Sequence, residues 1–198
     1  MKRIGILLSG RGSNFLAIAG AIAQGRLQAE IAVVISNKND AQGLERARER
    51  GLHAVALPSK GLNKAAYDQQ LVTELEQHSL DLICLAGYMR ILMPSTIARF
   101  QGRIVNIHPS LLPSFPGLHA QAQALAHGVK YSGCTVHFVD EGLDSGPILR
   151  QAAVPVLDAD DEAALSTRIL AQEHRIYPEA IGVVLSGKYQ LNGRRVVE

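Results

Sequence analysis

Arg3-Ile4-Gly5-Ile6-Leu7-Leu8-Ser9 runs straight into Gly10-Arg11-Gly12-Ser13-Asn14, and an alanine-rich helical stretch follows as far as Gly25. An apolar run without polar alternation suits a strand covered on both faces, as parallel strands under crossover helices are. The pattern recurs. Ile31 to Ser36 reads as a second strand, Ala41 to Arg50 as a charged helix stopped by Gly51, and His53 to Leu57 as a short third strand. Within 64–77, Tyr67, Leu71 and Leu75 fall four apart and make the apolar stripe of a surface helix. Asp81 to Ala86 is apolar on both faces and belongs in mid-sheet, and Arg103 to Ile107 is the next strand. This alternation predicts an α/β fold: a doubly wound, mostly parallel Rossmann-like sheet with helices on both faces.

Beyond residue 108 the pattern changes. Pro109, Pro113 and Pro116 forbid regular structure, so a loop is expected there, followed by a helix over His119 to His127. Thr135 to Val139 and Ile148 to Val156 read as two strands around the turn-rich link 140–147. A long helix starts near Asp160, with Pro178 marking a kink or a restart, and Lys188–Leu191 and Arg194–Val197, joined by Asn192-Gly193, form a small hairpin. With no repeats and no linker, the 198 residues are expected to form a single domain with a C-terminal appendage.

Composition removes several classes. At 47% hydrophobic and 19% charged, the chain is an ordinary globular sequence and not a disordered one. Twenty basic residues against 18 acidic ones lack the footprint of a nucleic-acid binder. No apolar run approaches the roughly 18 residues of a spanning helix, and Ile4 to Leu8 is too short for a signal peptide, so a cytoplasmic protein with no membrane partner is expected. Cys84 and Cys134 lie inside apolar runs, outside any CxxC pair, and indicate neither a disulfide framework nor a zinc site.

Ligands of an open parallel sheet bind beyond the carboxyl ends of its strands, and four unusual sequences fall there. Gly10 to Asn14 offers glycines and a helix N-terminus suited to a phosphate; the alternative is a tight strand-to-helix turn with Ser13 or Asn14 as N-cap. It lacks the Lys-Ser/Thr of a Walker loop, and Phe15 occupies the third glycine's place of a dinucleotide fingerprint. Tyr88-Met89-Arg90-Ile91-Leu92 combines an apolar lining with one cation, which could receive a planar ligand or simply lead core into a helix. Asn106 and His108, two apart on an extended strand, project to one side, where an amide and an imidazole can hold a carbonyl oxygen as it gains charge. The link after residue 139 supplies Asp140, Glu141 and Asp144; Asp144 is the expected partner of His108, since a carboxylate orients an imidazole and makes it a better acid near neutrality. Glu173 falls on the apolar face made by Leu165, Ile169 and Ile176, so it either pairs with Arg168 or His174 or faces a pocket. With no GxSxG elbow, no activated cysteine and no metal-ligand spacing among His108, His119, His127 and His137, the chemistry expected is direct transfer between two bound substrates, with no metal.

Asn106-Ile107-His108-Pro109-Ser110-Leu111-Leu112-Pro113 resembles the signature of enzymes that use 10-formyltetrahydrofolate, and Leu143-Asp144-Ser145-Gly146-Pro147 is similar to the aspartate loop that accompanies it. Together with Ser9 to Asn14, Ser36-Asn37-Lys38, Ala86 to Leu92, Phe115-Pro116-Gly117-Leu118-His119 and Gln172-Glu173-His174, these motifs resemble the phosphoribosylglycinamide formyltransferase family over nearly the whole chain. The resemblance implies formyl transfer from 10-formyltetrahydrofolate, as co-substrate, to the amine of glycinamide ribonucleotide in purine synthesis. It implies catalytic roles for Asn106, His108 and Asp144, and ribonucleotide binding by Gly12, Ser13, Asn14 and Glu173. Folate contacts are implied at Lys64, Met89, Arg90, Ile91, Leu92, Asn106, Asp140, Glu141, Gly142, Leu143 and Asp144. A nucleotide-binding half over about 1–100 and a catalytic, folate-binding half over about 101–198 follow from it, and a homodimer stays open. Methionyl-tRNA formyltransferases and formyltetrahydrofolate hydrolases share the central motifs. The first carry an RNA-binding domain for which this chain has no room, and the second would leave the phosphate loop and Glu173 without a task.

Overall fold

The computed structural model describes residues 1–198, and the chain divides into two units, Met1–Val105 and Asn106–Glu198. In the first unit β1 (Lys2–Leu8) lies between β2 (Ala29–Ser36) and β4 (Leu82–Leu85), parallel to both, and β3 (Ala54–Ala56) pairs parallel with β2. Ile4 to Leu8 are all buried, although neighbouring strand residues face opposite ways, so both faces of β1 are covered. That is the packing its unbroken apolar run requires. The order β3-β2-β1-β4-β5 reverses direction between β1 and β4, which opens the crevice of a doubly wound sheet beyond their carboxyl ends.

Three helices join these strands. α1 (Ser13–Ala23) buries Phe15, Ile18 and Ala21, α2 (Gln42–Glu49) buries Leu44 and Ala47, and α3 (Lys64–Glu76) buries the expected stripe of Tyr67, Leu71 and Leu75. A short fourth helix, α4 (Pro94–Arg99), follows residues 88–92, as one of the two readings of that stretch allows without giving its bounds. Its start is held by a residue distant in sequence: the Asp68 carboxylate accepts from Met93 N–H at 2.6 Å and from the Thr96 hydroxyl at 2.9 Å.

β5 (Ile104–His108) begins in the first unit and ends in the second, where the strand order is β5-β6-β7-β9-β8. After the proline-containing loop and α5 (Ala120–Ala126), β6 (Tyr131–Phe138) pairs antiparallel with β7 (Ile148–Pro155). β6 therefore begins four residues earlier than the expected Thr135. The long helix α6 (Glu162–Ser186), N-capped by the Asp161 carboxylate, packs on β6 and β7 and does not restart at Pro178. Proline removes one helical hydrogen bond, but Tyr177, Pro178, Ala180 and Ile181 are buried together, and burial of that face outweighs a cost of about 3 kcal/mol. The C-terminal hairpin is β8 (Gln190–Asn192) with β9 (Arg195–Val197), and Ile148 of β7 pairs parallel with Arg195.

Candidate active site

At the end of β1 the chain turns through Ser9 to Gly12 into α1, and the backbone, not a side chain, shapes this turn. Gly12 is the N-cap, in the left-handed region at φ 74°, so the helix starts at Ser13 without a side-chain cap. Neither Ser13 nor Asn14 is the cap. A Cβ on Gly12 would lie 2.9 Å from Gly43 Cα, because the start of α2 packs directly on the loop. Gly43 N–H donates to Gly10 O at 3.0 Å, and Arg46 Nη1 donates to Arg11 O at 2.9 Å. A rigid loop thus delivers the first-turn N–H groups and positive dipole end of α1, with no acidic residue there to oppose an anion.

Ser9 and Asn37, which the sequence reading gave no role of their own, tie this crevice together. The Ser9 hydroxyl donates to Asn37 Oδ1 at 2.5 Å and accepts from Met89 N–H at 2.8 Å, so one buried group joins the segments following β1, β2 and β4. In 88–92, Tyr88 is buried with its hydroxyl 2.7 Å from that of Tyr67, and burial drives both phenols' pKa values up. The Arg90 guanidinium lies 4.3 Å from the centre of the Tyr67 ring. Met89 and Ile91 are 64% and 66% exposed while Leu92 is buried, so this stretch offers two apolar side chains to solvent from a fixed base. Lys64 is the exposed first residue of α3.

The second unit contains a polar cluster. β5 stays extended through His108, one residue further than the sequence reading, so Asn106 and His108 share its spacing. His108 is buried; its Nε2 lies 2.9 Å from Phe115 O, and since a carbonyl only accepts, Nε2 carries a proton. Its Nδ1 faces Asp144 Oδ2 at 3.3 Å, as the Asp144 expectation required. Asp144 sits at φ 49°, a conformation aspartate tolerates, and its Oδ2 also accepts from Gly117 N–H at 2.8 Å.

His137 on β6 completes the cluster, and the sequence reading missed it. Its Nδ1–H donates to Phe138 O at 2.8 Å, which leaves the Nε2 lone pair to accept from Asn106 Nδ2 at 3.3 Å. Burial, the largest influence, pushes the His137 pKa down and keeps the ring neutral, although Asp144 Oδ1 lies 3.7 Å away. A neutral His137 therefore fixes which way the Asn106 amide points and leaves its second N–H free to donate. The two-residue offset of Asn106 and His108 and the acidic loop that holds Asp144 were visible in sequence; the role of His137 was not, since it depends on β6 lying beside β5.

The loop 140–147 is built by its own residues. Asp140 Oδ1 accepts from the Ser145 hydroxyl at 2.6 Å and from Gly142 N–H at 3.2 Å. A Cβ on Gly142 would collide with the Ser145 hydroxyl oxygen, which would have to swing away from Asp140 to admit it, while Glu141 and Leu143 are exposed. Glu173 is buried on α6, as its position on the apolar face implied, and the Arg168 guanidinium is engaged with a different carboxylate. Arg168 instead forms a two-pronged pair with Asp160 at 2.6 and 2.8 Å, which holds that carboxyl down at about 2. Burial raises both thiols, Cys134 to about 12, so neither cysteine is a nucleophile at neutral pH. No helix is long and apolar enough to cross a membrane.

Residues 2–181 match the family model described as formyl transferase. Phosphoribosylglycinamide formyltransferase of Escherichia coli (strain K12) is 43% identical over 188 residues, 94% of this chain and 89% of that protein. Trifunctional purine biosynthetic protein adenosine-3 of Drosophila melanogaster is 48% identical over 190 residues, 94% of this chain, and the chain spans only 14% of that relative's length. The crystal structure of glycinamide ribonucleotide transformylase 1 from Symbiobacterium toebii superposes with a TM-score of 0.97 at 52% identity, covering 100% of this chain and 93% of that one.

Proposed function

The chain belongs to the formyl transferase family, and from that premise we propose that it transfers the formyl group of 10-formyltetrahydrofolate to the amine of N1-(5-phosphoribosyl)glycinamide, in the cytoplasm, as a step of purine synthesis. One observation carries the reading. Asn106, His137, Asp144 and His108 form a connected set in which an oriented amide donor stands beside an imidazole backed by a carboxylate.

Acyl transfer to an amine needs those parts. The amine nitrogen attacks the formyl carbon, the carbonyl electron pair moves to oxygen, and a tetrahedral intermediate forms. The Asn106 N–H not engaged with His137 donates to that oxygen, stabilising charge where it develops. His108 donates its proton to the same oxygen, with the formyl oxygen replacing Phe115 O as the acceptor for Nε2–H. Asp144 holds the ring through Nδ1 and stabilises the cationic form. Collapse re-forms the carbonyl as its oxygen returns the proton to His108, breaks the bond to the folate N10 and leaves N10 with the proton that the attacking amine loses. No bond to the protein is needed, in keeping with two buried, protonated thiols.

The remaining residues serve binding. The loop Gly12-Ser13-Asn14 takes the ribonucleotide phosphate at the positive dipole end of α1, and Glu173 takes the glycinamide amine. Met89 and Ile91 lie against the folate, Arg90 and Leu92 support them, and Asn106 with residues 140–144 meets its polar edge. Lys64 meets the folate's acidic tail.

An absorbance assay of 10-formyltetrahydrofolate consumption, run with the ribonucleotide, with initiator methionyl-tRNA and with water as sole acceptor, tests the reading. Turnover with the ribonucleotide alone is the expected result. Deformylation without any amine acceptor, or turnover with the tRNA, would overturn it.

A further inference from the structure

Outside the residues used above, one cluster in the first unit combines three metal-ligating side chains. The ligand atoms of His53, Glu74 and His78 all lie within 4.8 Å of one another. Glu74 and His78 stand one helical turn apart, with Glu74 Oε1 at 3.0 Å from His78 Nε2, and both side chains are mostly buried, at 17% and 14% exposure. The His53 ring is exposed and lies over the His78 ring, centres 5.3 Å apart and planes tilted by 48°.

The three backbones are fixed independently of any ion. His53 O accepts from Val34 N–H of β2 at 2.8 Å, which pins the residue leading into β3. His78 O accepts from Arg3 Nε of β1 at 2.9 Å, and His78 N–H donates to Leu75 O at the end of α3. Arg3, whose Nε reaches His78 O, is paired with Glu30 at 2.6 Å, so its charge is offset locally. Ligands about 2.0–2.2 Å from a common ion stand roughly 3.3 Å apart, so the Glu74–His78 separation of 3.0 Å already suits a shared ion, and the exposed His53 has to approach from within 4.8 Å.

We propose that His53, Glu74 and His78 form a surface site for a divalent transition ion of the zinc, nickel or copper type, held by two imidazoles and one carboxylate with an open position for water. Two nitrogen ligands select such ions over magnesium and calcium, which take oxygen. His78 ligates as the neutral ring, with the lone pair of Nε2, the nitrogen that faces Glu74, on the metal and the ring proton on Nδ1. The ion clasps the end of α3 to the segment entering β3, so its effect is to stabilise the first unit by mass action. It takes part in no step of formyl transfer, and its failure would leave the reading of the active site intact.

Calorimetric titration of Zn²⁺ into the full chain, in chelator-free buffer, tests this directly, with His53→Ala as the deciding variant because its side chain is exposed and its removal leaves the fold intact. A single saturable ion per chain is expected, with affinity reduced at least about tenfold in His53→Ala and again in Glu74→Gln. The melting temperature should rise with Zn²⁺ in the parent chain and not in His53→Ala, magnesium should not compete, and formyl-transfer turnover in metal-free buffer should be equal in the two. Absence of Zn²⁺ binding, or equal affinity in the parent chain and His53→Ala, would overturn the site.

Discussion

The turn after β1 and the cluster around the end of β5 both follow a strand, yet they present different kinds of group. The first offers backbone N–H groups and a helix dipole, shaped by Gly12 at a positive φ and by the packing of α2. The second offers side-chain atoms from β5, β6 and the loop 140–147, each held by a partner distant in sequence. A backbone site tolerates side-chain change but not a change of chain path, whereas a side-chain cluster fails atom by atom.

Removing the imidazole at the centre of the cluster gives the largest expected effect. His108→Ala should lower kcat by about 10²–10⁴-fold with ribonucleotide affinity unchanged, as measured by steady-state kinetics alongside direct titration. A change confined to KM would show that His108 binds and does not transfer a proton. Next comes the orienting role of His137: His137→Phe should lower kcat by about 10–100-fold, and His137→Gln, which can still accept from Asn106, should recover part of it. Equal losses in the two variants would mean that His137 only fills space.

Gly12→Ala probes the backbone site. A Cβ there meets Gly43 in a conformation that side chains avoid, so about 1–3 kcal/mol of stability should be lost in denaturant titration, and KM for the ribonucleotide should rise more than kcat falls. A pure kcat effect would dissolve the contrast between the two regions. Acidification separates them as well. Because burial lowers the His137 pKa, the unfolded chain takes up a proton on that ring that the folded chain refuses. Its contribution to stability is complete above the ordinary imidazole value of 6.5 and is lost as the pH falls from there through the folded-state value. One such group changes stability by at most about 1.4 kcal/mol per pH unit, and the urea midpoint of His137→Gln should fall less steeply below neutrality than that of the parent chain. The smallest effect belongs to Lys64, exposed at the start of α3: Lys64→Ala should raise KM for the folate by about two- to fivefold and leave kcat alone.

Asn106, His108 and Asp144 could be paired from sequence because a strand's two-residue period and one acidic turn are local signals. His137 could not, since its role depends on the pairing of β5 with β6 and on a tautomer set by the carbonyl of Phe138. Glu173 was legible as a carboxylate on an apolar helix face, whereas the engagement of Arg168 with Asp160 depended on where α6 begins. Ser9 and Asn37 were visible as residues without a task; their hydrogen bond exists only because β1 and β2 are neighbours in the sheet.

By itself the sequence determined most of the strands and helices, the parallel character of the first unit, the glycine turn after β1 and the strand spacing of Asn106 and His108, because these follow from periodicity, backbone sterics and the burial each apolar run requires. Tertiary structure alone decided that α6 would continue through Pro178, that α4 would form under the Asp68 carboxylate, that Gly12 would cap α1, and that His137 would hold the Asn106 amide. Each of those outcomes rests on a contact between residues far apart in the chain, and such contacts acquire their energy only when packing has excluded water from around them.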